Sequence, residues 1–540
     1  MLATLAAVLV VALTIGPAAA AAPAIFTASS LDGATPVLLA AAPAKGKPAA
    51  KSGAPASKSG SGAGATPEAG APDTIPVVTH HETTVDGKSL RYTVTTGLLP
   101  LRNETGDTEA RIFFMAYAAE GRGGPGTRPL MFSFNGGPGS ASVWLHLGAL
   151  GPKRVKMLDE GGMPAPPYQL VDNPNTWLDR TDICFIDPVG TGYSRASKPE
   201  GGKKFWSVQG DVESVGEFIR LYLTRYERWT SPLFLVGESY GTTRAAGLSG
   251  YLVEHGVAFN GIILVSSILN FETADFTRGN DLPYSLYLPT YAATAWYHKK
   301  LPTDLQSKGL KDVLAEVEPW AEAGYPAFLA RGDKLSRAER DGALDRLARY
   351  TGLSRAYLDQ SNLRVDIQHF CKELLRSERR TVGRLDSRFK GIDESAAGET
   401  PDYDPSLAAI RPPYTAAFNA YVRTELGYKT DLPYYILGGG IGPWDWGSAR
   451  AGFPDVSGAL RFAFAKNPEM KLFVASGHYD LATPYFATDY TLAHLGLEPE
   501  ERVRVTTRQY EAGHMMYIHA GELAKLKKDV AAFIEAALKP

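Results

Sequence analysis

At 540 residues the chain has room for one large domain with an insertion, or for up to about three ordinary domains. Its 44% hydrophobic and 21% charged residues are those of a globular protein, and a net charge of -2 provides no footprint for a polyanion. Nucleic acid and anionic membrane surfaces are therefore excluded as first partners.

The N-terminus places an apolar run, Leu5 to Ile15, ahead of a small-residue stretch, which reads as a secretory signal over residues 1–22 cut near Ala20 to Ala22. The run is short for a bilayer span, so export without an integral membrane span is expected, to a periplasmic or secreted location. Residues 23–75, with Ala34 to Pro72 rich in Ala, Pro, Gly, Ser and Lys, carry too little apolar bulk to offset ordering entropy and are expected as a disordered linker.

Alternating segments between Val77 and Ala118, with Asp86-Gly87 as a turn signal, predict an antiparallel β start. Short apolar runs follow, "PLMFSFNGG", "DICFIDPVG", "LFLVGES", "GIILVSSI" and "MKLFVASGHYD", each passing into a loop with Gly, Ser or Asp. That is the pattern of a mostly parallel α/β sheet with polar chemistry at its strand carboxyl ends. Val212, Val215, Ile219 and Tyr222 fall at helical spacing and predict a crossover helix before the third run. From 271 to 468 the chain turns Pro- and Tyr-rich with helical segments and few strand-like runs, which reads as a mainly helical cap inserted between core segments 76–270 and 469–540. Cys184 and Cys371 lie in apolar settings and read as two buried thiols, though one bridge between them is allowed.

The chemistry starts at "GESYG", residues 237–241. A strand ending in Gly-x-Ser-x-Gly and turning into a helix thrusts its serine, Ser239, out at a strained turn. A serine hydroxyl is a weak nucleophile, so the motif needs a base and an orienting carboxylate downstream. Asp480, in "SGHYDLATP", and His514, in "EAGHMMY", follow successive strands in the order nucleophile, acid, histidine. His478 shares the acid's loop and His519 falls in a predicted helix, so neither fits the base position as well; Asp489 is the rival acid. An oxyanion hole needs two backbone amides. Tyr240 supplies the one after the nucleophile, and the glycine-rich turn "FNGGPGSAS" is placed to supply the other.

The motifs "NGGPGSAS", "DPVGTGYS", "GESYGT", "SGHYDLATP" and "GHMM" resemble, in the same order, those of the serine carboxypeptidases, the S10 peptidases; the resemblance runs from about Thr96 to the C-terminus and is weak across the insertion. It implies an α/β-hydrolase fold with an inserted cap and removal of C-terminal residues from peptides. By motif match it implies Ser239 as nucleophile, His514 as base, Asp480 as its partner, the amides of Gly137 and Tyr240 as oxyanion hole, and Asn135 and Glu238 as ligands of the substrate's terminal carboxylate. No metal or cofactor is implied; the expected partners are peptide substrates, and the oligomeric state is not legible. Three departures stand out. Ser140 replaces the family's cysteine, the acid loop reads Gly477-His478-Tyr479-Asp480 in place of Gly-Asp-x-Asp, and Ala149 occupies the position of a second carboxylate-binding glutamate. An esterase or acyltransferase on the same fold remains the alternative enzyme, and a non-catalytic binding protein the alternative class.

Overall fold

The computed structural model describes residues 75–447 and 452–539. The expected signal and all but the last residue of the expected linker lie outside them.

A mixed sheet organises the molecule. In chain order its long strands are β1 (Val77–Val85), β2 (Lys88–Arg102), β3 (Thr108–Ala119), β4 (Leu130–Phe134), β5 (Asp182–Asp187), β6 (Leu233–Ser239), β7 (Gly261–Ser267), β8 (Lys471–Gly477) and β9 (Val505–Tyr510). Across the sheet they run β1-β2-β3-β5-β4-β6-β7-β8-β9. The first three pair antiparallel, as the alternating segments and the turn at Asp86-Gly87 predict, and β3 meets β5 antiparallel. From β5 to β9 every pairing is parallel. This is the α/β-hydrolase fold, read here from strand order and direction.

The apolar runs of the central strands are continuous because both faces are covered. Phe234, Val236, Ile263, Val265, Phe473 and Ala475 point into one core, which also takes Leu526, Val530 and Phe533 of the C-terminal helix Ala520–Ala537. Leu235, Ile262, Leu264, Leu472 and Val474 point into the other. There they meet the crossover helix Val208–Arg225, which Ser207 caps by accepting from Gly210 N, and the helix Tyr240–Glu254.

The segment read as an insertion divides by where it packs. Helices between Leu282 and Glu373 build a third core around Tyr291, Leu344, Leu347 and Phe370, into which Leu481 is pressed from the loop after β8. The helix Pro405–Thr424 returns to the first core through Ile410, Tyr414 and Phe418, and Ser457–Lys466 returns to the second through Leu460 and Phe464. Cys184 and Cys371 are both buried free thiols, in different cores. No helix of the described residues is long and apolar enough to cross a membrane.

One buried ion pair ties the two helices flanking β6 to the β4 loop. Arg244, 1% exposed, donates from Nε to Asp211 Oδ2 at 2.8 Å and from Nη1 to the carbonyl of Asn135 at 2.6 Å. Removing one partner of such a pair leaves an uncompensated charge indoors. Asp211→Ala is expected to cost about 3–5 kcal/mol of stability, while the apolar double replacement Asp211→Leu with Arg244→Met costs less than the single change. Urea midpoints at constant slope check both.

Candidate active site

Parallel register brings the carboxyl ends of the strands to one edge: Phe134 pairs with Gly237, Ser239 with Ser267, and Gly477 with Tyr510. All the residues expected to carry chemistry lie at that edge.

Ser239 ends β6 with φ 60° and ψ -131° and opens the helix Tyr240–Glu254. The flanking glycines leave room for the turn, strictly at Gly237 and by a tight fit at Gly241. A Cβ on Gly237 would stand 2.1 Å from the carbonyl oxygen of Gly241, and one on Gly241 would stand 3.0 Å from the carbonyl oxygens of Phe134 and Asn135. The β4 turn presses equally close, since a Cβ on Gly136 would lie 2.4 Å from the amide nitrogen of Tyr240. The glycine-rich turn and the amide after Ser239, expected to share an oxyanion hole with Gly137, are thus in direct contact.

Asp480 and His514 are hydrogen-bonded, Nδ1 to Oδ2, at 2.7 Å. Asp480 is fully buried and accepts three further bonds, from Ala482 N and Thr483 N on Oδ1 and from Thr483 Oγ1 on Oδ2. An ionised carboxylate only accepts, so this bond keeps the proton on Nδ1 and leaves the lone pair on Nε2. Burial disfavours the imidazolium, but the charge and hydrogen bond of Asp480, joined by the charge of Glu238, prevail and hold His514 above its ordinary value. Ser266, beside Ser239's partner Ser267, donates to the His514 carbonyl at 2.6 Å and so joins the histidine loop to the strand beside β6.

Glu238 precedes Ser239 and is 3% exposed. Asn135 Nδ2 donates to its Oε1 at 3.0 Å, and Asn135 in turn accepts from Leu145 N. Burial pushes its pKa up to about 7, against the opposing pull of His514, Tyr517 and Asn135. The donor on Oε2 is the hydroxyl of Tyr517, at 2.5 Å. Sequence reasoning missed Tyr517. The only local signal is its place three residues after His514, on the short turn Met516–Ile518. Its ring lies over Gly148, whose Cβ would stand 2.4 Å from Tyr517 Cε2, and Gly148 adjoins the buried Ala149.

The rival residues have other partners. His478 is buried, stacks edge-on against Tyr485, and burial lowers its pKa to about 4. His519 caps the C-terminal helix instead of lying within it, accepting from Glu522 N. Asp489 accepts from Gln509. Ser140, at the family's cysteine position, accepts from Trp144 Nε1 at 2.8 Å. Asp187 of "DPVGTGYS" takes the amide and hydroxyl of Ser142, both at 2.8 Å, and so anchors the turn after β4.

The fold and this site define an α/β-hydrolase with a serine at its elbow. Residues 87–298 match the S10 peptidase family model, described as serine carboxypeptidase. The chain is 33% identical over 170 residues to the pheromone-processing carboxypeptidase KEX1 of Saccharomyces cerevisiae, covering 29% of this chain and 22% of the relative. It is 28% identical over 155 residues to serine carboxypeptidase S10 family member 1 of Dictyostelium discoideum, covering 28% and 33%. The matched stretch therefore spans about a third or less of these relatives' length. Among solved structures, the KEX1 prohormone-processing carboxypeptidase of Saccharomyces cerevisiae aligns over 82% of this chain and 91% of its own, with 16% identity and a TM-score of 0.48.

Because the Tyr517 hydrogen bond favours the ionised form of Glu238, Tyr517→Phe should let the protonated form persist to higher pH. A hydrogen bond contributing about 1 kcal/mol corresponds to moving the alkaline limb of a Glu238-dependent pH profile up by about 0.7 of a pH unit. The profile of kcat/KM for a free peptide, parent against variant, measures it.

Proposed function

We propose that this protein is a serine carboxypeptidase that removes residues from the C-termini of peptides through an acyl-enzyme on Ser239. His514 Nε2 takes the proton from the Ser239 hydroxyl as its oxygen attacks the scissile carbonyl carbon, and Asp480 steadies the imidazolium that forms. The amides of Gly137 and Tyr240 receive the negative oxygen of the tetrahedral intermediate. Collapse breaks the C–N bond, His514 returns its proton to the leaving amine, and the C-terminal amino acid departs. Water, deprotonated by the same histidine, then attacks the ester, and Ser239 is regenerated with its proton.

The observation that carries the exopeptidase reading is the buried carboxyl of Glu238 immediately beside Ser239, held by Asn135 and Tyr517. Two carboxylates in contact cannot both ionise cheaply, so Glu238 binds the substrate's terminal carboxylate while protonated. Binding therefore weakens as pH rises through about 7, where Glu238 loses its proton. His514 limits the acid side, because it must be neutral to act as base. With Ala149 in place of a second acid, discrimination between free and blocked C-termini is shallow, which leaves ester turnover as a secondary activity on the same triad. The apolar run Leu5 to Ile15 supports export, and the slight net charge favours no nucleic-acid partner.

The test is the ratio of kcat/KM for a peptide and its C-terminal amide, measured below and above about pH 7. In the parent the ratio favours the free peptide and falls with pH. In Glu238→Gln, which keeps a donor that does not titrate, it is flat. Equal kcat/KM for the free peptide and its amide at every pH would overturn the clamp.

A further inference from the structure

The loops bearing Asp480 and His514 leave the sheet at Gly477 and Tyr510, the last residues paired between β8 and β9. Their direct backbone pairing continues through His478 N to Tyr510 O and Tyr479 N to Ala512 O, both 3.0 Å, and stops just short of the two functional side chains. Beyond that point a third segment lies between them. A small hairpin, Thr381–Val382 paired with Lys390–Gly391, projects its tip from the helical region against both loops.

The outer residues of the tip bind one loop and the inner two bind the other. Leu481 N donates to Arg384 O at 3.0 Å and Ser387 N donates to Tyr479 O at 2.9 Å, which grips the acid loop. His514 N donates to Leu385 O at 2.7 Å and Gly513 N donates to Asp386 Oδ2 at 3.2 Å, which grips the histidine loop. A Cβ on Gly513 would stand 2.5 Å from the Asp386 side chain, so the approach is close.

Asp386, 3% exposed, is itself clamped by the Arg388 fork, Nε to Oδ1 at 3.0 Å and Nη2 to Oδ2 at 2.7 Å. On its other side the tip is fixed both to Asp404, which caps the helix Pro405–Thr424, and to the helical region through Thr294. The amides of Arg384 and Leu385 donate to the carboxylate of Asp404, and Ser387 Oγ meets Thr294 Oγ1 at 2.6 Å.

We propose that the tip Arg384–Arg388 is a splint that sets the distance and angle between Asp480 and His514, with Asp386 as the positioning residue of the base. A catalytic pair has to be held to within about 0.5 Å of its productive geometry, and irregular loops do not achieve this without support from a rigid element. The splint supplies that support from a part of the chain that contributes neither acid nor base. It also makes the alignment of the pair depend on how the helical region is seated.

The inference rests on reading Asp480 and His514 as orienter and base, so the experiment runs Asp386→Asn beside Asp480→Asn. Asparagine keeps the shape of Asp386 but has a single acceptor oxygen, which Gly513 and Arg388 cannot both use as they use the carboxylate. In Asp386→Asn, kcat should fall about ten- to a hundredfold with KM within about threefold of the parent. The low-field proton resonance of His514 Nδ1 should shift or broaden, because its bond to Asp480 is no longer held at one geometry.

A merely structural residue would lower the unfolding temperature and leave kcat and the resonance of the folded enzyme unchanged, and that result overturns the splint. If Asp386→Asn does not accumulate folded, Arg388→Gln, which frees the carboxylate without removing it, decides the matter by the same two readouts. An inactive Asp480→Asn with a normal Asp386→Asn sinks the splint alone. Parent-like kcat in Asp480→Asn sinks the reading of the pair on which it rests.

Discussion

A serine held at φ 60° is the constraint from which the rest of the site follows. A non-glycine residue in such a region costs about 1–3 kcal/mol and persists only where the surroundings over-determine it. Here they do so by contact: at Gly237 and Gly136 a single added carbon would collide with backbone, and at Gly241 it would be crowded by it. Arg244 reinforces the arrangement from below, because its guanidinium is shared between Asp211 on the crossover helix and the carbonyl of Asn135. The turn that offers Ser239 to solvent is thus the same packing that brings the β4 loop and its amides alongside.

Two buried carboxyls at this edge, Asp480 and Glu238, are held by different partners. Asp480 receives four hydrogen bonds, one of them from His514, and serves as a fixed acceptor. Glu238 receives two, and burial outweighs them, so that it keeps its proton up to about pH 7. One sheet edge therefore presents two buried carboxyls in different settings, each set by its neighbours and not by residue type. Tyr517 connects the two halves, since it lies three residues after His514 and donates to Glu238.

Much of this was legible in the sequence, for identifiable reasons. The central strands are apolar on both faces, and runs such as Leu233–Val236 and Ile262–Val265 announce themselves without any long-range information. The elbow glycines and the order of Ser239, Asp480 and His514 are local patterns too, and the structure joins Asp480 to His514 by a direct hydrogen bond. What escaped were residues whose meaning is set across the fold. Tyr517 reaches a partner 279 positions away, and Asp386 meets Gly513 across 127. Neither sits in a periodic or motif-like context. Likewise the helices Pro405–Thr424 and Ser457–Lys466 read like their neighbours, and only packing shows that they return to the sheet's cores.

The central claim is that one serine, working beside a buried carboxyl, trims peptides from their free end. Timed mass spectrometry of an unblocked peptide digest tests it directly, with half of the enzyme first titrated to completion by a serine-directed phosphonate. The account predicts consecutive single-residue losses from the C-terminus, a phosphonate adduct mapped to Ser239, and no losses in the labelled half. Internal fragments, or trimming that continues once Ser239 is fully modified, would contradict it.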